Sequence, residues 1–460
     1  MLAIETKSLP ASGSAVNSNG ACLLPSQWGA VALPAVLTLI VATLFIPIEL
    51  SFYVFGLRLT VTRLIFLIIA PFLFVKLMKK LAAGRYRFVL SDLFFCFTAI
   101  WMIYAAANID GIEGALSHAG PEVLELTVAY FAARTLLSES GQALLLIEKL
   151  CQVIAIVALI GLLDPLTGRY ITREIAAQLS GYPIHISDWA DAHRLGLLRA
   201  SGPVEHPILF GFVCAIGLLF STSIAMSGRW FFMAACGLGA IFSFSSAPVQ
   251  SIIIGFALLT YARLTSGLPY RWTLLLSIAG AAIFSAFLIS NNPLGFIISN
   301  LIFDPASGYY RYWTWVTVLA HVSQSPWYGL GYGVLPEEIN HTIDALWLVL
   351  AIHSGFPGAI LTFFSLVSAS SLPASRRKAN LSEQEERLGI TLGIVVSLTV
   401  FIALTVHFWG SVWVLTGLLA GTRAQLGELG RLSPRIPETN AARRDTGPPL
   451  IMNQSWRRAP

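Results

Sequence analysis

The sequence predicts an all-α, polytopic integral membrane protein with about twelve transmembrane helices. Hydrophobic residues make up 56% of the chain and charged residues only 12%, roughly half the charged fraction of an ordinary soluble domain. The apolar residues fall in repeated runs of roughly 20, the length that crosses a hydrocarbon core. Inside lipid every backbone polar group needs a partner within its own segment, so these runs are predicted to be helices.

Short polar connections separate the predicted spans. In chain order the spans lie near 30–50, 60–76, 91–108, 121–138, 146–164, 203–225, 230–245, 247–263, 272–291, 342–371, 388–408 and 409–424. Pro248 interrupts the stretch 230–263, which leaves a broken pair of helices or a re-entrant feature open. The stretch 342–371 is longer than one span needs, and a break at Gly355–Gly358 is expected within it.

The distribution of lysine and arginine predicts the orientation. The connection after the second span is strongly basic, with Lys76, Lys79, Lys80, Arg85 and Arg87. The connection after the third span has acidic residues and a histidine but no lysine or arginine. By the positive-inside rule the basic connection is cytoplasmic. Both termini are then cytoplasmic, and two long loops near 165–201 and 292–341 are periplasmic, the second being expected to contain short helices.

Three regions follow from this orientation. Residues 1–28 form a cytoplasmic N-terminal segment, residues 29–425 form the transmembrane domain, and residues 426–460 are expected to be a disordered cytoplasmic tail. The net charge of +5 is spread over short connections and does not indicate nucleic-acid binding. Five scattered cysteines without a CxxC pair argue against a metal site or a disulfide framework. No phosphate-binding GxxxxGK[ST] loop is present.

Arg194 and Arg199 end the first outer loop, just before a predicted span. Arginine there opposes the positive-inside bias, so something must compensate its charge. One candidate is an anionic ligand, because the planar guanidinium makes bidentate hydrogen bonds with phosphate. The alternative is pairing with nearby acidic residues, or side chains that extend to the lipid headgroups. His206, before Pro207, is similarly open to a substrate-binding role or a structural one.

Arg311 lies in the aromatic segment GYYRYWTWV, next to Tyr310. It is either an anchoring arginine in an interfacial aromatic belt or a phosphate-binding arginine beside aromatic faces that suit sugar rings. His341 opens the next apolar run and Asp344 follows three residues later, so both can share a helix face. A histidine with a carboxylate partner suits a general base near neutral pH. The alternative for His341 is an ordinary interfacial histidine.

Three ordered patches together resemble the superfamily of O-antigen ligases and O-antigen or exopolysaccharide polymerases, which are bacterial membrane glycosyltransferases. The first patch runs Arg199…Gly202…His206-Pro207…Gly211, the second Arg311…Trp315 and then Pro326…Gly329-Leu330-Gly331-Tyr332-Gly333, and the third His341…Leu346…Gly355…Gly358. Their order, spacing and outward placement agree with that superfamily, and the resemblance covers roughly residues 30–425.

The resemblance implies an inverting glycosyltransferase of the bacterial inner membrane that needs neither metal nor cofactor. Its donor would be an undecaprenyl-pyrophosphate-linked glycan, and its acceptor a glycan or lipid A–core. Arg199 and Arg311 would hold the pyrophosphate, and His341 would lie near the acceptor hydroxyl. Membrane lipids and proteins of polysaccharide export or chain-length control are the implied partners. Fixed cations suit a pyrophosphate leaving group, whose charge develops in the transition state.

The chain also departs from the superfamily pattern. The outer turn Ser245–Pro248 lacks the arginine that many members have, position 342 is threonine, and His353 stands where an acidic residue is common. Ligation and polymerisation both remain open. The rival prediction is a transporter or flippase for an amphipathic anion, which should show paired broken helices and charges at the membrane midplane.

Overall fold

The computed structural model describes residues 32–54, 57–183, 192–289, 305–333, 335–339, 343–371 and 381–430. These residues form a bundle of helices, which confirms the predicted helical class. Two short antiparallel hairpins add to it: β1 (Ser51–Val54) pairs with β2 (Leu57–Thr60), and β3 (His193–Arg194) pairs with β4 (Leu197–Leu198).

The helices follow the predicted apolar segments closely. In the first half of the chain they are α1 (Ala35–Thr43), α2 (Val61–Ala82), α3 (Leu90–Ile109), α4 (Gly111–Gly114), α5 (Gly120–Leu136), α6 (Gln142–Gly161), α7 (Leu163–Thr167) and α8 (Ile171–Ser180), with a π-helical turn at Ala115–Ala119. In the second half they are α9 (Pro207–Ser223), α10 (Arg229–Phe242), α11 (Ser246–Leu264), α12 (Arg271–Ile289), α13 (Pro305–Val322), α14 (Leu346–Ser370), α15 (Glu383–Ile402) and α16 (Gly410–Leu429), with a 3-10 turn at Glu337–Ile339. The last helix therefore continues four residues past the predicted end of the transmembrane domain.

Five stretches of the described chain are long and apolar enough to cross a membrane, judged by length and composition: Val61–Ala82, Leu90–Ile109, Gln142–Thr167, Ser246–Leu264 and Leu346–Ser370. The apolar helices α9 and α10 are shorter. Bulky apolar side chains point away from the bundle, among them Ile68, 69% exposed, and Ile100, 66% exposed. These features fit a multi-pass membrane protein, while the count of twelve spans stays a prediction. Residues 1–31 and 431–460, which include the predicted N-terminal segment and most of the tail, lie outside the described residues.

Close packing of α5 against α16 forms the centre of the bundle. A Cβ atom on Gly417 would lie 2.3 Å from the carbonyl oxygen of Leu126, and one on Gly421 would lie 2.3 Å from that of Tyr130. Small residues four apart let two helix backbones approach in this way, which is a common device in membrane helices.

A buried ionic cluster ties α3, α5 and α16 together at one end of the bundle. Arg134 donates to both carboxylate oxygens of Asp92, at 2.9 and 2.8 Å, and to Glu428 at 2.6 Å. Lys80 lies at the same end, where its ammonium group donates to the carbonyl of Thr135 at 2.7 Å. We call this the Lys80 end, and the opposite end, which carries α13, the Arg311 end.

Helix α14 is kinked, as the sequence predicts. Ser354 and Gly355 have non-helical backbone angles, with φ of +69° at Gly355. The glycine turn (residues 326–333) packs into this kink, because the amide of Leu330 donates to the carbonyl of Ile352 at 2.6 Å. A Cβ atom on Gly329 would lie 2.2 Å from that carbonyl oxygen. The stretch 230–263 forms the helix pair α10–α11, and Pro248 lies in the first turn of α11.

Candidate functional site

Three of the predicted site residues border one small pocket at the Arg311 end. Tyr310 and Arg311 come from α13, and Asp344 comes from the extended segment just before α14. This arginine pocket has an enclosed volume of only about 10 Å³ and is closed on another side by Leu404 and Thr405. The Nε atom of Arg311 is buried and has no hydrogen-bond partner among the described residues. A buried guanidinium N–H without a partner is costly, and a charge-assisted hydrogen bond to an anion would offset that cost.

His341 lies outside the described residues. Its predicted pairing with Asp344, and its role as a base, therefore stay predictions. The structure does show that Asp344 lies beside Arg311 in the wall of the arginine pocket.

Arg194 and Arg199 both hold the turn between α10 and α11. Arg194 donates to the carbonyl of Phe244 at 2.8 Å, and Arg199 donates through Nε to the carbonyl of Ser243 at 3.1 Å. Arg199 is buried. The turn itself contains no arginine. Two arginines of the loop before α9 hydrogen-bond to its backbone carbonyls instead. Within the described part of the chain, Arg199 does not line the arginine pocket, and its contact with pyrophosphate stays a prediction.

His206 caps the N-terminus of α9. Its Nδ1 atom accepts a hydrogen bond from the backbone amide of Ile208 at 3.1 Å, which satisfies one of the free amides of the first helical turn. Burial first, and then the charges of Arg199 and Arg173, lower the pKa of His206 to about 3. The ring is therefore neutral at physiological pH. His206 therefore has a structural role as a helix cap, and its contact with substrate stays a prediction.

A larger cavity, which sequence reasoning missed, also opens at the Arg311 end. Its empty volume is about 880 Å³, part of it open to solvent, and it lies between the α1–α2 region, α5, the start of α14 and residues 407–414. We call it the carboxylate cavity, because its walls include Glu122, Glu125 and Glu205. The spacing of Glu122 and Glu125 was the available signal, since residues three apart on a helix share a face.

Each of the three carboxylates of this cavity has a hydrogen-bond partner of its own. Glu125 accepts from Nε of Arg63 at 2.6 Å. Glu205 accepts from both the backbone amide and the hydroxyl of Ser411, at 2.7 and 2.8 Å. Burial raises the pKa of Glu205, although the hydrogen bonds from Ser411 oppose this effect.

Tyr332 of the glycine turn contacts residues of α3, α5 and α14 next to this cavity. Its hydroxyl donates to Glu122 at 2.9 Å, its backbone amide donates to Asp110 at 3.0 Å, and its ring stacks on His353 with centroids 3.9 Å apart. Burial, and then the Glu122 carboxylate, raise the pKa of the Tyr332 hydroxyl, so it stays protonated and donates. His353 thus stands beside a carboxylate supplied by α5.

The arginine pocket and the carboxylate cavity share a wall. Ala345 and Leu348 face the pocket, whereas Leu346 and Val349 face the cavity. The segment 404–409 contributes in the same way, with Thr405 on the pocket side and residues 407–409 on the cavity side. An amide-to-carbonyl hydrogen bond of 3.2 Å from Leu346 to Val406 joins the two parts of the wall.

No family model matches the chain, and no curated protein sequence is significantly similar to it. Among the residues that the structure describes, no three or more of His, Cys, Asp and Glu come together to hold a metal ion. The metal-independent mechanism stays a prediction.

Proposed function

We propose that this chain is a membrane glycosyltransferase that transfers or polymerises undecaprenyl-pyrophosphate-linked glycan on the periplasmic side of the bacterial inner membrane. It would serve cell-surface polysaccharide biosynthesis, as an O-antigen ligase-like enzyme or an exopolysaccharide polymerase. The proposal rests on the ordered sequence patches and on one structural observation. That observation is the buried Nε of Arg311, which lacks a partner among the described residues and borders a pocket with Tyr310 and Asp344.

The chemistry of lipid-linked glycan transfer suits such a pocket. The bond between the sugar and the pyrophosphate breaks, and the departing pyrophosphate gains negative charge. A fixed guanidinium stabilises this charge in the transition state without needing to reorganise. In our proposal Arg311 supplies that contact, assisted by Arg199, while Tyr310 offers an aromatic face to the glycan.

The acceptor half of the reaction is assigned to His341 and Asp344. The acceptor hydroxyl attacks the anomeric carbon from the side opposite the pyrophosphate, which inverts the configuration. His341 takes the hydroxyl proton as general base, and Asp344 orients the ring. Asp344 borders the same pocket as Arg311, which supports a common location for the proposed donor and acceptor groups.

The decisive experiment uses the purified chain in lipid nanodiscs with a lipid-linked glycan donor extracted from the source bacterium. We expect glycan transfer by the wild-type chain, with chelator present, and loss of transfer in Arg311→Ala. Arg387→Ala is the matched control, because Arg387 is exposed and pairs only with Glu383 in the described contacts. Movement of the donor across the bilayer without transfer would replace the proposal with the flippase alternative.

Deletion of the gene separates the two forms of the reaction. Lipopolysaccharide and secreted polysaccharide are analysed separately in the deletion strain. Loss of glycan from lipid A–core indicates ligation, and loss of long secreted chains indicates polymerisation.

A further inference from the structure

We infer that the carboxylate cavity binds uncharged sugar residues of the acceptor glycan, apart from the arginine pocket that holds the donor pyrophosphate. This inference rests on the proposed function and adds a second subsite to it. The enclosed part of the cavity has a volume of about 160 Å³, below the roughly 300–1,000 Å³ of ordinary ligand sites. It therefore suits a single sugar residue, with the rest of the glycan in the part that is open to solvent.

The polar groups of the cavity are largely engaged with one another, which suits an uncharged ligand. Two arginines, Arg58 and Arg63, face three glutamates in its walls. Both arginines already have partners: Arg63 is paired with Glu125 at 2.6 Å, and Arg58 donates to the carbonyl of Ile48 at 2.9 Å. Both arginines are thus engaged by groups of the protein itself. A sugar hydroxyl, which both donates and accepts, matches such a mixed wall.

Aromatic groups in the same wall suit the apolar faces of sugar rings. The half-buried indole of Trp409 lies between His407, with ring centroids 5.0 Å apart, and His206, at 6.2 Å. Burial lowers the pKa of His407 to about 4, so its ring is neutral. These neighbours orient the indole. A sugar ring that packs on an indole already held in place causes little further loss of side-chain entropy.

Glu122 supplies an acceptor whose second oxygen is available. Its Oε2 accepts from Tyr332, while Oε1 lies 3.7 Å from Nδ1 of His353, beyond hydrogen-bonding distance. Nδ1 of His353 is buried and has no hydrogen-bond partner among the described residues. A carboxyl oxygen in the cavity wall accepts a hydrogen bond from a sugar hydroxyl.

The arginine pocket and the carboxylate cavity lie on opposite sides of the same two segments. The first turn of α14 and the segment 404–409 contact the arginine pocket on one side and the carboxylate cavity on the other. The two proposed subsites are therefore neighbours in the bundle.

The test measures binding separately from transfer. Short oligosaccharides, prepared by partial acid hydrolysis of the surface polysaccharide of the source bacterium and labelled at the reducing end, are titrated against the full chain in nanodiscs. Fluorescence anisotropy reports the dissociation constant. We expect saturable binding to the wild-type chain and about tenfold weaker binding to Trp409→Ala, from the loss of one aromatic contact.

Glu122→Gln is the second cavity variant, because glutamine preserves the shape and still accepts from Tyr332. It should weaken binding severalfold, because the oxygen that faces the sugar is replaced by an amide nitrogen, which cannot accept a hydrogen bond. Trp230→Ala is the matched control, since Trp230 is 69% exposed on α10, and it should bind like the wild type. Arg311→Ala should also bind the oligosaccharide normally while losing transfer.

The outcomes separate this inference from the proposed function. Unchanged binding in both Trp409→Ala and Glu122→Gln, or no saturable binding to the wild-type chain, overturns the sugar subsite. Loss of binding in Arg311→Ala alone places the oligosaccharide in the arginine pocket and also overturns it. Transfer activity that depends on Arg311 would survive either of these results, so the proposed function would stand without the second subsite.

Discussion

The hydroxyl of Tyr332 lies 2.9 Å from the Glu122 carboxylate. This hydrogen bond joins the glycine turn, which sits in the kink of α14, to the start of α5. Asp110 at the end of α3 accepts from the amide of the same tyrosine at 3.0 Å. One residue of a loop thereby connects three helices beside the carboxylate cavity.

The first prediction concerns the packing of the glycine turn. Gly329→Ala should destabilise the protein, because φ is +78° and the new Cβ would lie 2.2 Å from the carbonyl oxygen of Ile352. The left-handed conformation alone costs an alanine about 1–2 kcal/mol. Thermal unfolding in detergent measures the effect. Gly333→Ala is the control, since its Cβ would approach nothing closer than Asp110 at 4.0 Å. Equal stability of the two variants would contradict the close contact.

The second prediction concerns the arginines. Lysine retains the charge of Arg311 but loses the planar fork, so Arg311→Lys should remain strongly impaired in transfer. Loss of one such contact costs on the order of 2–4 kcal/mol of transition-state stabilisation. Arg199→Ala should also lose transfer, and its folding must be checked because Arg199 supports Ser243. Full-length product from both alanine variants at normal expression would refute both roles.

The third prediction concerns the proposed base. His341→Ala should abolish transfer while leaving donor binding largely intact, because the arginines hold the pyrophosphate separately. Asp344→Asn should be milder, since an amide can still orient the imidazole ring. Transfer and donor binding are measured on the same purified variants in detergent. Undiminished transfer by His341→Ala would reduce this histidine to an interfacial residue.

The fourth prediction concerns orientation in the membrane. The lysine–arginine asymmetry predicts that residues 76–90 are cytoplasmic and residues 292–341 periplasmic. Reporter fusions near Ala83 and Ser325 should therefore report opposite compartments. The same compartment for both would overturn the topology, and with it the periplasmic site.

The fifth prediction concerns acid stability. The pKa of His206 is about 3 in the folded chain against an ordinary value of 6.5. Above pH 6.5 neither state binds the proton. As the pH falls from 6.5 toward 3 only the unfolded state binds it, so stability decreases over this window. His407, with a pKa of about 4, likewise lowers the stability of the folded chain as the pH falls from 6.5 toward 4.

The variant His206→Asn tests this dependence. Asparagine keeps a helix cap but cannot titrate, so the variant should match the wild type at pH 8 and lose less stability on acidification. His206→Ala loses the cap as well and should be less stable by about 1 kcal/mol at every pH above 6.5. The melting temperature between pH 8 and pH 4 provides the measurement. A wild-type acid slope in His206→Asn would show that this ring does not carry the effect.

The sequence predicted the positions of the helices well, because runs of apolar residues leave the backbone no alternative to a helix within lipid. The kink of α14 was predictable for a related reason, since glycine and proline interrupt such a run. Arg311, Tyr310 and Asp344 line one pocket in the structure, while their roles in binding and catalysis stay predictions.

The carboxylate cavity could not be predicted in this way. Glu122, Arg58 and Trp409 lie far apart in sequence, and only the packing of α5 with α16 and the α1–α2 region places them around one space. Likewise, the arginines at 194 and 199 look like ligand-binding residues in isolation. Their hydrogen bonds with carbonyls of the α10–α11 turn depend on a tertiary contact that no local pattern encodes.

The ionic cluster at the Lys80 end has a consequence for biogenesis. Asp92 and Arg134 are synthesised early and can neutralise each other once α5 has been inserted, but Glu428 arrives only with α16. The glycines that admit α16 against α5 belong to the same late helix. The described bundle therefore reaches its final packing only after α16 has been synthesised and inserted against α5.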